Sequence, residues 1–441
     1  MPLDFVVKKN IRAYLFRTWS VSWPMVLIMF FEFLIGLTDV YIAGKVGKDI
    51  QATYGLVIQL YFIFIIMANA LTVGTVSVVS RLFTSEDEAG LTEAIFSSLV
   101  SSAGAGMAIA AVSFFFAPDL IRISNIPGDL KPLAVPLIEI YAAGLVFHYV
   151  LINSNGVLGS CNRVTVSLRS MATVCGLNIT LNFLLVFHTA LSYRGIALAT
   201  ASSVFSGGLL NLIQVRKNLR KRRFYFSHVK KMIGIGWPMG LLQICWLLAS
   251  MALFFILSAL PENRVEVLAA FTTGLRIESA IYLPAFAFNM ANAVIIGNFL
   301  GERKPNDAFG SGVVTATIGV GVITLMAVAV IVSARWIAPF LSDDSVVVRE
   351  SIKYLYISMM SEPFMAWGMI LAGGLSGAGD TKSVLLRVSL SLWLVRIPLS
   401  YLFVILLGWG ATWVWWSMNL SQIVQALWIS KRYFTKRWLP A

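Results

Sequence analysis

The chain has 441 residues, 58% hydrophobic and 12% charged, with a mean hydropathy of +0.81 and a formal net charge of +13. Soluble domains carry about a quarter charged residues, so these proportions exclude a soluble globular protein. The three cysteines (Cys161, Cys175, Cys245) and three histidines (His148, His188, His228) lack the spacing of a metal or redox motif and read as packing residues.

Taken in order, apolar runs predict twelve membrane spans: 19–43, 53–80, 93–117, 132–158, 165–188, 193–215, 233–260, 266–299, 309–334, 347–375, 384–407 and 410–430. Met1 to Arg17 is polar and basic, without an apolar stretch or small-residue cleavage site, so no cleavable signal is expected. An even number of spans puts both termini on one side. Twenty-three of the 34 lysines and arginines collect on that side, nine on the other, and Arg276 and Arg396 fall inside spans. The bias predicts cytoplasmic termini in a cell (plasma or inner) membrane. It accounts for the net charge as a topology signal and a contact for anionic lipid headgroups. No nucleic-acid partner is expected.

The densest basic run, Arg216 to Arg223, lies between the sixth and seventh spans. It predicts two six-helix halves: 1–215 as an N-terminal bundle, 216–232 as a cytoplasmic linker and 233–441 as a C-terminal bundle. An internal repeat supports the division. Ser22-Trp23-Pro24-Met25, at the start of the first span, returns as Gly236-Trp237-Pro238-Met239 at the start of the seventh. Asn155-Gly156-Val157-Leu158-Gly159-Ser160 is echoed at nearly the same offset by Gly373-Gly374-Leu375-Ser376-Gly377-Ala378. Parallel repeats of this kind place a substrate site between two bundles that rock against each other.

Within the spans, Glu32 and Asp39 stand out on the first helix, two turns apart on one face, with Gly36 between them. A carboxylate at mid-span costs about 2.5–3.5 kcal/mol on insertion scales, so such acids mark ion and substrate pathways. When the two Trp-Pro motifs are aligned, Glu32 corresponds to Trp246 and Asp39 to Leu253, so the second half keeps the entry motif without the acids. That asymmetry favours a role in transport over one in folding. Glu278, at mid-span in the eighth helix and followed by Pro284, is a further candidate for the cavity. Arg276, two residues away, points to a different side; a partner on another helix and a structural network with Glu278 both remain open for it. Glu139 and Glu362 fit interfacial placement or a helix contact as well as substrate contact, and Arg396 beside Pro398 reads as a packing anchor. Pro24 and Pro284 break otherwise straight helices, and a bend at Pro24 would move the acid face.

Acids facing an apolar, aromatic-rich interior suit lipophilic organic cations, through Coulomb attraction where water is scarce and through cation–π contacts. Protonation of Asp39 would weaken cation binding. Cargo and proton would then compete for one site, which is antiport.

Taken together, these motifs resemble the multidrug and toxic compound extrusion (MATE) family. The resemblance rests on Ser22-Trp23-Pro24 leading to Thr38-Asp39-Val40-Tyr41-Ile42-Ala43-Gly44, on Leu275-Arg276-Ile277-Glu278-Ser279 through Pro284 to Gly297 and Leu300-Gly301-Glu302, on Leu375-Ser376-Gly377-Ala378-Gly379-Asp380-Thr381, and on Arg396-Ile397-Pro398-Leu399-Ser400-Tyr401. The eighth-span segment is most similar to the prokaryotic, DinF-like branch. The resemblance implies an all-α, V-shaped pair of six-helix bundles exporting cationic drugs against H⁺ or Na⁺. It also implies an ion site in the N-terminal bundle, to which Asp39, Asn178 and Thr200 correspond. Asn182 stands where the family has a second Asp. That loss of an anionic ligand tilts the expected coupling ion toward H⁺, with Na⁺ at Asp39, Asn178 and Thr200 as the alternative. The seventh-span Glu of the NorM-like branch is replaced by Trp246, so cargo contact falls to Glu32, Asp39, Glu278 and Trp246. The partners expected are small cationic amphipaths and lipid, for a monomer without cofactor.

A lipid-linked precursor flippase of the same superfamily is the alternative, but it would favour a basic cavity. Nothing in the chain suggests an enzyme: no catalytic dyad, His-based metal motif or phosphate loop stands out.

Overall fold

The computed structural model describes residues 11–124, 127–216 and 223–439. Fourteen helices account for nearly all of them: α1 Ile11–Val46, α2 Lys48–Thr84, α3 Glu88–Phe115, α4 Ala117–Ile123, α5 Lys131–Ser160, α6 Val164–Phe187, α7 Arg194–Arg216, α8 Phe226–Ser258, α9 Arg264–Gly301, α10 Pro305–Leu341, α11 Ser345–Ser358, α12 Glu362–Gly377, α13 Thr381–Leu406 and α14 Thr412–Phe434. Ten of them are long and apolar enough to cross a membrane: α1, α2, α3, α5 to α10 and α13. The tenth predicted span is a helix pair, α11 and α12, and the twelfth is α14, giving twelve membrane-length segments. The short α4 follows the third span and was not expected as a separate element. Part of the basic linker, 217–222, lies outside the described residues, as do Lys8 and Lys9.

The helices form two compact units. One runs from Trp23 to Gly240; the other combines the described residues up to Ser22 with those from Leu241 onward. Both divisions fall inside a helix, within α1 and within α8, at the two copies of the Trp-Pro repeat. Proline has no N–H to continue the ladder, and here Pro24 and Pro238 sit within continuous helices at these points. Each half's first helix therefore begins packed in the other half's unit. In the C-terminal unit, Tyr14 donates a hydrogen bond to Asp307 (2.5 Å), Arg17 pairs with Glu302 (3.2 Å) and lies over the Phe299 ring (4.1 Å), and the Thr18 and Thr315 hydroxyls meet at 2.9 Å. In the N-terminal unit, the start of α8 presses against α2. A Cβ on Gly74 would come within 1.9 Å of the Met232 carbonyl oxygen, and one on Gly236 within 2.1 Å of the Ala70 carbonyl oxygen. Small residues serve this purpose in membranes, where packing and hydrogen bonds rather than water exclusion hold helices together.

The repeat also governs turn geometry. Asn162 and Gly379 hold equivalent places in the two halves, and both adopt positive φ (55° and 86°). Each turn closes with the same bond, Arg163 N–H to Leu158 O and Asp380 N–H to Leu375 O, both 2.8 Å. These bonds pair Leu158 with Leu375, whereas residue identities align Leu158 with the next position, Ser376. The structural register of this turn is thus one residue shorter than the offset read from residue identities.

Two departures from regular helix distinguish the C-terminal unit. The tenth span breaks over Met359 to Ser361 because Pro363, in the first turn of α12, cannot extend α11. Carbonyls freed at the break find partners in α14 and in the break itself: Asn419 donates to Ile357 O (2.6 Å), and Ser361 donates to Ser358 O (3.0 Å) or Asn419 Oδ1 (2.8 Å). In α13 the residues either side of Pro398 form two π-helical stretches, Ser391–Arg396 and Leu402–Leu406.

Gly74→Ala and Gly236→Ala are expected to destabilise the protein by about 1–3 kcal/mol each, the usual cost of overpacking. Thermal unfolding in detergent measures this, with Gly55→Ala, which meets nothing within 4 Å, unchanged.

Candidate functional site: a buried carboxylate in the N-terminal unit

Asp39 lies two turns before the end of α1 and is 2% exposed. Gly47 turns the chain directly into α2, which returns Tyr54 alongside it. Helices α6 and α7 close the site. Asn178 and Asn182, one turn apart on α6, are both fully buried, and Thr200 faces them from α7.

Three side chains donate to the carboxylate. Asn182 Nδ2 lies 2.6 Å from Oδ1, and Thr200 Oγ1 (3.0 Å) and Tyr54 OH (3.2 Å) converge on Oδ2. A second ring of contacts holds the donors: Asn178 Nδ2 donates to Thr200 Oγ1 and Asn182 Nδ2 to Asn178 Oδ1, each at 3.1 Å. Tyr141 from α5 stands beside Tyr54 and Thr200, its hydroxyl buried. No lysine or arginine bonds to Asp39 among the described residues. A buried charge held by neutral dipoles alone remains open to a proton or a cation.

The hydroxyl partners make protonation easy to accommodate. A hydroxyl both donates and accepts. When Asp39 carries a proton, Thr200 Oγ1 can accept from it and send its own hydrogen to the Ile196 carbonyl, 3.2 Å away. Both charge states of Asp39 are therefore satisfied by rotating one hydrogen. A sodium ion would need oxygens aimed inward. Asn182 Oδ1, buried and without a hydrogen-bond partner among the described residues, is one. The Asn178 and Thr200 oxygens already accept from amide donors, and the carboxylate faces N–H and O–H groups. As arranged, the donor set fits a titrating acid better than a cation cage.

The expected quartet of Asp39, Asn178, Asn182 and Thr200 is thus one hydrogen-bonded cluster. Tyr54 and its neighbour Tyr141 complete the surroundings and were not expected from sequence. The available signal for Tyr54 was the hairpin: one glycine between α1 and α2 forces residues after 47 to run back past residues before it.

The other candidates lie elsewhere. Glu32 is exposed on α1, outside the network, as is Gly36. Pro24 is buried at the point where α1 changes unit. Glu278, Trp246 and Pro284 belong to the C-terminal unit. There Trp246 lies beneath the Arg396 guanidinium at 5.2 Å. Arg276 is exposed, and the guanidinium beside Glu278 is that of Arg396, which reads from sequence only as a packing anchor. Glu139 is half-buried and Glu362 is 2% exposed.

A doubled helical membrane protein with a sequestered acid in its first half is the form of a secondary transporter, and sequence comparison gives the family. The MatE family profile matches twice, over residues 24–184 and 238–402, and the chain belongs to this family of transporters. The two matches start at Pro24 and Pro238, the prolines of the repeat. The uncharacterized transporter YisQ of Bacillus subtilis is 21% identical over 96% of this chain and 95% of its own length. A probable multidrug resistance protein NorM of Bradyrhizobium diazoefficiens is 22% identical over 96% and 94%. Among solved structures, a multidrug resistance MATE family transporter in an outward-facing conformation superposes with a TM-score of 0.89 at 22% identity, covering 96% of both chains. A MOP superfamily transporter from Pyrococcus furiosus gives 0.88 at 21%, also covering 96% of both.

A double-mutant cycle tests the network. Thr200→Val is expected to destabilise the protein by about 1.5–3 kcal/mol at neutral pH, the worth of a hydrogen bond to a charged group. In an Asp39→Asn background the same substitution should cost about half as much or less, measured by thermal unfolding.

Proposed function

We propose that the chain exports lipophilic organic cations from the cell in exchange for protons, with Asp39 as the group for which cargo and proton compete. The observation that carries this reading is the buried carboxylate with reversible hydroxyl partners and no cationic neighbour among the described residues. Relatives named as multidrug resistance proteins, NorM and MdtK, support the cargo class. A charged Asp39 attracts a cation strongly where water is scarce; a protonated one does not, so each ligand displaces the other. Pro24, where α1 passes from one unit to the other about four turns before Asp39, is the natural pivot for coupling occupancy of the site to movement of the helix.

The same reading places the protein in the cell membrane as a monomer with cytoplasmic termini, its basic loops against anionic headgroups. The replacement of an acid by Asn182 favours protons over sodium as the coupling ion, because it leaves one formal negative charge at the site.

Proteoliposomes loaded with ethidium test the proposal. An imposed proton gradient is expected to drive ethidium efflux at least tenfold above the rate without a gradient, and a sodium gradient is expected to drive none. Asp39→Asn should abolish the proton-driven part; undiminished coupled efflux would refute the role assigned to Asp39. Asn182→Asp restores a second carboxylate within the cluster and is expected to confer sodium-driven efflux, read in the same assay.

A further inference from the structure

Asp39 stands at one end of a line of polar aromatic side chains that runs through the core of the N-terminal unit. Tyr54 on α2 donates to its carboxylate, and Tyr141 on α5 stands beside Tyr54. Two turns further along the same two helices come Tyr61 on α2 and His148 on α5. The Tyr61 ring packs on Tyr141, centroids 4.9 Å apart, and its hydroxyl meets His148 Nδ1 at 2.7 Å. Asp39, Tyr54, Tyr141, Tyr61 and His148 are thus successive neighbours. The line has two rungs, Tyr54 with Tyr141 and Tyr61 with His148, separated by about 10 Å of helix.

The core around this line is apolar: Val57 and Leu145, between the rungs, are fully buried. Polar groups in such surroundings are costly, and histidine within a membrane span marks a proton pathway. All three tyrosines are buried, whereas His148 is half-buried. Its second ring nitrogen, Nε2, has no hydrogen-bond partner among the described residues. Tyr61 is the titratable group that faces the imidazole, with Tyr149 and Tyr141 behind it. No charged side chain bears on the ring among the described residues. A histidine held only for packing would need neither the tyrosine nor the open nitrogen.

These groups suit the passage of a proton. A hydroxyl can accept one hydrogen while giving up its own, and an imidazole can bind a proton at one nitrogen and release one from the other. When Tyr61 donates to Nδ1, the neutral ring carries its hydrogen on Nε2, the nitrogen without a partner. The direction fits as well. Asp39 lies near the turn between α1 and α2, and His148 lies two helical turns deeper in the unit. With cytoplasmic termini that turn faces outward, so the line leads from Asp39 toward the cytoplasm. A proton-driven exporter must release its protons there.

We propose that Tyr54, Tyr141, Tyr61 and His148 form the route by which the proton leaves Asp39, with His148 as its last station before water. The inference rests on the reading of Asp39 as the group for which proton and cargo compete. When cargo displaces the proton, the O–H bond at the Asp39 carboxyl breaks. Each tyrosine takes a proton on its oxygen and passes its own hydrogen along, and Tyr61 delivers one to His148 Nδ1. The imidazolium then loses its Nε2 proton to water. Asp39 has lost one proton, water has gained one, and the tyrosines and the histidine are neutral as before. Rotation of the hydroxyls and exchange of the ring hydrogen with water reset the line.

Two assays on the full-length protein in proteoliposomes separate passage of the proton from binding of cargo. Proton-driven ethidium efflux requires a proton to leave Asp39 in every cycle. Exchange of labelled for unlabelled ethidium at equal concentrations, without a gradient, requires none. His148→Gln keeps a hydrogen-bonding side chain that cannot carry a proton, and Tyr61→Phe keeps the ring against Tyr141 without the hydroxyl. Each is expected to slow proton-driven efflux about tenfold or more, with exchange within about twofold of the unaltered protein. Asp39→Asn should instead lose both, because it removes the charge that holds cargo. The two variants are independent routes to the same readout should one fail to fold. Undiminished proton-driven efflux in both would overturn the proposal and leave the role of Asp39 standing. Exchange that falls in step with efflux would also overturn it, since that marks a structural role or a cargo contact. Absence of proton-driven efflux from the unaltered protein would overturn the reading of Asp39 and this inference together.

Discussion

Everything in the N-terminal unit turns on one electrostatic constraint: a carboxylate cannot stay charged and dry without donors aimed at it. Asp39 meets that constraint with three neutral side-chain donors from α2, α6 and α7 instead of with a cation. A permanent ion pair would satisfy the charge and end its usefulness. Dipoles satisfy it while leaving the net charge available to whatever enters. The Thr200 hydroxyl can turn its hydrogen to the Ile196 carbonyl, so the site need not be rebuilt when its charge changes.

The repeat shows that this arrangement is additional to the fold. Leu253, the counterpart of Asp39 in the second half, is also 2% exposed. The same position in the same scaffold is equally buried and accepts an apolar side chain. Burial is therefore what the fold imposes there, and the carboxylate works against it. The second half carries its buried charges elsewhere, on α9, at the start of α12 and in the π-helical stretch of α13. The two units thus share helix order and turn geometry but have placed their acids independently.

Much of this was legible in the chain. Apolar length gives the spans, and the Trp-Pro repeat gives the doubling. Asp39 announced itself by cost alone. Its partners Asn178, Asn182 and Thr200 came from family resemblance, because nothing in local periodicity says which faces of α6 and α7 meet α1. Tyr54 went unseen although the hairpin at Gly47 would have placed it. Glu32 shows the limit of helical-wheel reasoning. Positions two turns apart share a face on an ideal helix, yet Asp39 is buried and Glu32 exposed, because the neighbours that enclose a face need not extend along all of it. Nor did the sequence reveal that α1 and α8 each divide between units, since a proline within an apolar run reads the same whether it kinks one bundle or links two. Arg396 was underestimated for a related reason. Its partners Glu362 and Glu278 lie on other helices, one of them several spans back along the chain, beyond any local pattern.

The most direct test of competition at Asp39 is proton release on cargo binding, measured without any gradient or turnover. Purified protein in weakly buffered detergent, titrated with tetraphenylphosphonium, should release close to one proton per cation bound at a pH where Asp39 is protonated. The Asp39→Asn variant should release none. Stoichiometric cation binding with no proton release from the unaltered protein would contradict the account.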